Sequence, residues 1–139
     1  MAGVLTGLGG CSDEVTPRLG PQQWQDIVFL VETRPPQLRI GMNEFLVLAS
    51  IDGHKPAHDM ILSFRLNGEG KWQQAIQDGY VGVYRKAIRV NDIENDVLEV
   101  RVERYVEGQN ERDLTLLRFP LRQQTEKRAP TPTSETAKD

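Results

Sequence analysis

The sequence predicts an all-β domain, an immunoglobulin-like antiparallel β-sandwich of about seven strands. Three observations carry that expectation. Apolar residues recur with a period of two, not 3.6, through the middle of the chain. Clusters of Gly, Pro, Asn and Asp separate those stretches at intervals of roughly 8–14 residues. No stretch reads as an amphipathic helix. A small barrel is the alternative closure of the same pattern. The chain has a single cysteine, Cys11, so no intrachain disulfide links the sheets and apolar packing must hold them.

The elements follow in order. Ile27 to Glu32 is β-branched and aromatic, which suits a pleated, half-buried surface. Arg34-Pro35-Pro36-Gln37 ends it, because proline cannot donate into a ladder. Glu44 to Ile51 is the second strand, with Phe45, Val47, Ala49 and Ile51 on one face. Asp52-Gly53-His54-Lys55-Pro56 turns the chain. Met60, Leu62, Phe64 and Leu66 alternate with Ile61, Ser63 and Arg65 in the third. Asn67-Gly68 signals a hairpin, since both residues tolerate positive φ. Lys71 to Ala75 is a short return. Tyr80 to Val90 is the fifth strand, with Gly79 and Gly82 allowing a bulge. Val97 to Tyr105 places Leu98, Val100 and Val102 inward and Glu99, Arg101 and Glu103 outward. Leu114 to Leu121 closes the domain with Leu117, Phe119 and Leu121 on one face.

Around this core the chain divides into four parts: residues 1–11, 12–23, 24–122 and 123–139. Leu8-Gly9-Gly10-Cys11 looks like a bacterial lipobox, which makes Cys11 a lipid-bearing residue and residues 1–11 a truncated signal remnant. Met1 to Gly7 lacks the basic residues and longer apolar run of a secretory signal, so this reading expects a start upstream of Met1 or a trimmed chain. Residues 12–23, with two prolines and few apolar groups, read as a linker. Ser12 rather than Asp after the cysteine favours the outer membrane, by analogy with enteric sorting. Residues 123–139 read as a disordered tail.

Composition excludes several classes. A net charge of −3 without a basic stripe argues against a nucleic-acid groove. A hydrolytic triad needs a nucleophile, a base and an orienting group, and the only two histidines sit in one turn. Neither Gly7-Leu8-Gly9-Gly10 nor Gly68-Glu69-Gly70-Lys71 has the length and following residues of a phosphate loop.

Three constellations remain. His54, His58 and Met60, with Met42 nearby, carry the imidazole and thioether groups that suit copper, although Lys55 between the histidines opposes a cation. The bland alternative is a core Met60 with solvated histidines. Asn91 to Asp96 offers several oxygen ligands for Ca²⁺, against an acidic turn that caps its own backbone. Trp72, Tyr80, Tyr84 and also Trp24 could line a partner-binding face, against simple core filling. Of these, Tyr84 beside Arg85-Lys86 reads as surface-facing.

Gly41-Met42-Asn43-Glu44-Phe45-Leu46-Val47, Asp52-Gly53-His54-Lys55-Pro56, Gly79-Tyr80-Val81-Gly82-Val83-Tyr84 and Asp96-Val97-Leu98-Glu99-Val100 together resemble the YtkA-like and FixH-like domains. The resemblance covers roughly residues 38–104, and His54 interrupts the family's Gly-Lys-Pro turn. It implies a small extracytoplasmic immunoglobulin-like domain, some members being lipid-anchored and near copper handling, with no catalysis attached. The expectation is a non-enzymatic envelope lipoprotein that faces the periplasm. It would bind envelope proteins or support their assembly, and touch the membrane through its lipid alone. A periplasmic copper-binding protein is the first alternative. A cytosolic β-sandwich interaction domain, with Cys11 incidental, is the second.

Overall fold

The computed structural model describes residues 17–124. The chain there forms ten strands: β1 (Leu19–Trp24), β2 (Ile27–Arg34), β3 (Gly41–Ile51), β4 (Lys55–Pro56), β5 (Met60–Leu66), β6 (Gln73–Gln74), β7 (Ile76–Gln77), β8 (Val83–Val90), β9 (Val97–Arg104) and β10 (Asp113–Pro120). They build two antiparallel sheets. One has the order β1-β2-β3-β8-β7, with β4 on β3; the other is β10-β9-β5-β6. The rows β2-β3-β8-β7 and β10-β9-β5-β6 reproduce the A-B-E-D and G-F-C-C′ order of an immunoglobulin-like sandwich.

Ten strands replace the seven read from the sequence, for three physical reasons. The stretch read as a linker contains β1, so the domain starts before Trp24, and Leu19 is fully buried in the core. Its Gly20-Pro21 signal marks a bulge, the register slipping between Leu19 and Gln22. An edge strand tolerates proline there. The expected return over Lys71 to Ala75 is two short strands. β6 pairs with β5 in one sheet and β7 with β8 in the other, and the chain crosses between sheets at buried Ala75. Lys55 and Pro56 add a short pair on β3. Asn67 and Gly68 do take positive φ, 58° and 68°, and Glu69 N–H donates to the Leu66 carbonyl. The loop still runs on to Gln73 before pairing resumes.

Alternation fills the space between the sheets. All four phenylalanines, Phe29, Phe45, Phe64 and Phe119, are fully buried. Val31, Val47, Leu62, Leu98, Val100 and Val102 pack with them. Removing one such aromatic ring typically costs about 3–5 kcal/mol, so these side chains do what a disulfide does in other sandwiches.

The two ends of the sandwich differ. The connections at 25–26, 52–59, 78–82 and 105–112 gather at one end, hereafter the loop end. Those at 35–40, 67–72 and 91–96 gather at the other, the base. β1 runs from near the base toward the loop end, and β10 runs back, so both ends of the described chain leave from the base side.

Candidate functional site at the loop end

Main-chain and side-chain hydrogen bonds knit the loops of this end together. Asp52 N–H donates to the Asp26 carbonyl at 2.7 Å, and Tyr105 N–H to the Asp59 carbonyl at 3.3 Å. Arg104 donates to Asp26 Oδ1 at 2.7 Å and to Gln25 Oε1 at 2.8 Å. Its guanidinium holds the Asp26 carboxyl below the ordinary carboxylate range. Gln25 in turn donates to Asp113 Oδ2 at 2.9 Å.

The 78–82 loop is pinned on both sides. Asp78 N–H donates to the Val83 carbonyl, and Ala49 N–H to the Gly82 carbonyl, at 2.9 and 2.8 Å. Gly82 has φ +79°, and a Cβ there would sit 2.5 Å from the Ala49 carbonyl oxygen. Only glycine fits that approach. Arg85 grips the loop through Asp78 at 3.0 Å and continues to Glu44 at 3.1 Å. Those two carboxylates raise the Arg85 pKa further, Asp78 contributing most. From this braced loop Tyr80 and Val81 project into solvent, 75% and 63% exposed.

Beside them stands the 57–59 connection. The Tyr84 hydroxyl donates to the Ala57 carbonyl at 2.7 Å, and Ala57 N–H donates to the Ala49 carbonyl at 3.0 Å. Burial, with the nearby Asp59 charge adding, pushes the Tyr84 phenol up to about 12. His58, held next to this latch, makes an edge-on contact with the Tyr80 ring at 5.4 Å between centroids. Tyr105, 50% exposed, completes the apolar display. Arg112 lies 4.5 Å above its ring and donates to its hydroxyl.

The structure sorts the residues singled out in the sequence. Tyr80 is exposed as a partner-binding residue needs to be. Tyr84 is corrected: it is 1% exposed and serves as the latch beneath the loops, because it shares the inward face of β8 with Ile88 and Val90. Trp72 lies away from Tyr80, on the outer face of the four-stranded sheet. Arg65 and Arg101 stack on its ring at 4.2 and 5.0 Å. Trp24 packs half-buried against the core.

Of the copper candidates, Met42 is set apart from the other three. Met60 is buried with Leu62 and Phe64. His58 lies before β5, which begins at Met60, and is exposed. His54 is exposed in the turn after β3. Met42 lies at the base end of β3, nine residues from Ile51, which is roughly 30 Å along a strand. The ring contact that His58 makes is with Tyr80. Among the described residues no three His, Cys, Asp or Glu side chains gather as a metal cluster. Cys11 lies outside the described residues.

The Asn91 to Asp96 turn uses its oxygens on itself. Asp96 Oδ2 accepts from the Asn91 and Asp92 N–H groups, and its Oδ1 from Asn67 Nδ2. Asp92 Oδ1 accepts from Glu94 and Asn95 N–H, and its Oδ2 from Asn95 Nδ2. The Asn95 amide does most to lower the Asp92 pKa. This is a backbone-capping turn. It borders an open polar cleft of about 390 Å³ at the base, lined by Arg65, Lys71 and Arg89 among others. Sequence reasoning missed Val81 and Tyr105 as exposed apolar groups, though each lies in a turn next to Gly or polar residues, where a large apolar side chain has little to pack against.

Compared with known proteins, the chain matches no family model, no curated protein and no solved structure.

Proposed function

We propose that this protein is a non-enzymatic binding module that engages a protein partner through its loop end. The observation that carries the reading is the rigid presentation of Tyr80 and Val81. Two large apolar side chains stand in solvent on a loop held by Gly82 and Arg85, beside the 57–59 connection that Tyr84 latches. Preorganised aromatic anchors are the groups that dominate protein interfaces, because little side-chain entropy is lost when they are buried. His58, Tyr105 and Arg112 supply adaptable polar contacts around them.

The setting we propose is the bacterial envelope, with the domain tethered by a lipid on Cys11. The support is the Leu8-Gly9-Gly10-Cys11 run and the chain direction. β1 begins on the base side, so a tether before Leu19 holds the base toward the membrane and turns the loops away from it. Only seven residues separate Cys11 from Leu19, a reach of at most about 28 Å, so the domain stands close to its anchor.

Two measurements test this. Affinity capture from detergent-solubilised native membranes should recover one partner with the wild type and with Arg89→Ala. Tyr80→Ala should weaken that capture at least tenfold; equal capture by Tyr80→Ala refutes the loop-end reading. Intact mass of the native protein should show an acylated chain beginning at Cys11; an unmodified cytosolic chain refutes the anchor.

A further inference from the structure

We infer that β10 is a docking edge for a second copy of this chain, which adds its own β10 antiparallel to form one continuous sheet of about eight strands. The inference does not rest on the proposed partner-binding role of the loop end.

The direction of the main-chain groups can be read strand by strand. Asn67 N–H donates to the Val97 carbonyl, and Tyr105 N–H to the Asp59 carbonyl. Odd-numbered residues of β9 therefore turn their N–H and C=O toward β5. The even-numbered ones turn toward β10, where Leu98 faces Phe119, Val100 faces Leu117 and Val102 faces Thr115. Hence odd residues of β10 bond to β9, and Leu114, Leu116 and Arg118 present theirs at the edge. The Gln22 side chain donating to the Arg118 carbonyl agrees with that direction. A carbonyl accepts two hydrogen bonds, so this contact does not close the edge.

β1 and the turn after it come alongside β10 and bond it through the Gln22 and Gln25 side chains without pairing to it. An edge unpaired in its main chain is a pairing site unless charge, proline or a bulge protects it. On the outer face of β10 stand Leu114, 63% exposed, and Leu116, 40% exposed. Proline enters only at Pro120. In the antiparallel register that sets Leu116 opposite Leu116 of the second copy, Leu114 faces Arg118 and Arg118 faces Leu114. About six main-chain hydrogen bonds then form. The long Arg118 stem covers the more exposed leucine. Its guanidinium, which holds Glu99 only at 3.4 Å in the single chain, comes toward Glu103 of the second copy, the β9 neighbour of Leu114. There it joins the Arg112 and Arg101 guanidinium groups that already hold that carboxylate at 2.7 and 3.6 Å. The pairing is reciprocal, as a two-fold requires. A register shifted to set Leu114 opposite Leu116 brings Arg112 opposite Arg118, a like-charge contact. Charge complementarity therefore selects the first register. Edge pairing buries less than a standard interface, so the dimer should dissociate in the micromolar to millimolar range.

The test is sedimentation of the full chain from about 10 μM to about 1 mM, with hydrogen exchange of the Leu114 and Leu116 amides across the same range. The expected result is a concentration-dependent dimer in which both amides gain protection. Leu116→Lys, and separately Leu114→Lys, should weaken it at least tenfold while keeping the wild-type unfolding midpoint; Ile76→Lys on the other sheet should leave it intact. A monomer throughout overturns the inference. So does a dimer that survives both lysine variants. Amides protected already in the monomer overturn it too, since the edge would then be filled by another segment of the chain.

Discussion

The two ends of the sandwich use their polar side chains in different ways, although both leave large apolar groups in solvent, Ile40 and Met42 at the base and Tyr80, Val81 and Tyr105 at the loop end. At the base, buried Asn43, Asp96, Thr33 and Gln124 turn inward onto the backbone. Asn43 bonds the Arg39 and Gly41 main chain, and Gln124 accepts from Leu38 N–H and donates to Thr33 Oγ1. Asp96 caps its turn and holds Asn67, which accepts from Val97 N–H. At the loop end the loops are fixed through main-chain bonds, the Tyr84 latch and Arg85, which leaves Tyr80, Val81 and Tyr105 outside. A base that satisfies itself contributes to stability; a loop end fixed from below contributes a shaped surface. Substitutions should separate the two roles.

The largest effect is expected at Gly82. Gly82→Ala forces a Cβ against the Ala49 carbonyl in a backbone region costly for alanine. It should lower the unfolding free energy by about 3 kcal/mol and abolish partner capture, because stability and loop shape meet at this residue. Asp96→Ala comes next. It strands the Asn91 and Asp92 N–H groups and the Asn67 amide, at a cost of about 2–3 kcal/mol in urea unfolding. Partner capture by the folded fraction should be unchanged. A loss of capture there would break the division between the ends.

Tyr84→Phe removes one buried hydrogen bond and should cost about 1–2 kcal/mol. It should speed amide exchange in residues 57–59 while leaving the base protected. The same phenol gives a pH signature. Its folded pKa, about 12, lies above the ordinary 10.0, because the neutral form is the one the core accepts. Its contribution is therefore complete below about pH 10, and it is lost as pH rises from there through about 12. Absorbance titration should show a phenol ionising near pH 12, and Tyr84→Phe should abolish that component. The smallest stability effect is at Tyr80. Tyr80→Ala should shift unfolding by less than about 0.5 kcal/mol while producing the greatest specific loss of binding.

Much of this fold is legible in the sequence because alternation has only one buried solution. β2, β3, β5, β9 and β10 each follow their apolar period, and the inward faces of β9 and β10 match residue by residue. β1 was hidden because Gly20-Pro21 carries the same signal for a bulge on an edge strand as for a linker. β6 and β7 were hidden because a change of sheet leaves no mark in a run as short as Gln73 to Gln77. The site was less legible. The Tyr84 position was encoded, since Ile88 and Val90 set the inward parity of β8, but the neighbouring Arg85-Lys86 argued the other way. Arg85 in fact lies on the outer face, and the pleat alone separates it from Tyr84. The His58 contact with Tyr80 joins two loops far apart in sequence, which no local pattern shows. Of the copper grouping, the structure separates Met42 from His54, since the two flank one long strand.

Site-specific photo-crosslinking in native cells tests the central claim most directly, with a photoreactive side chain at Tyr80 on the loop end and, in parallel, at Arg89 on the base. The account predicts one discrete protein adduct from position 80 and none from position 89. An adduct from position 89 with none from position 80 would place the binding face at the base and contradict it.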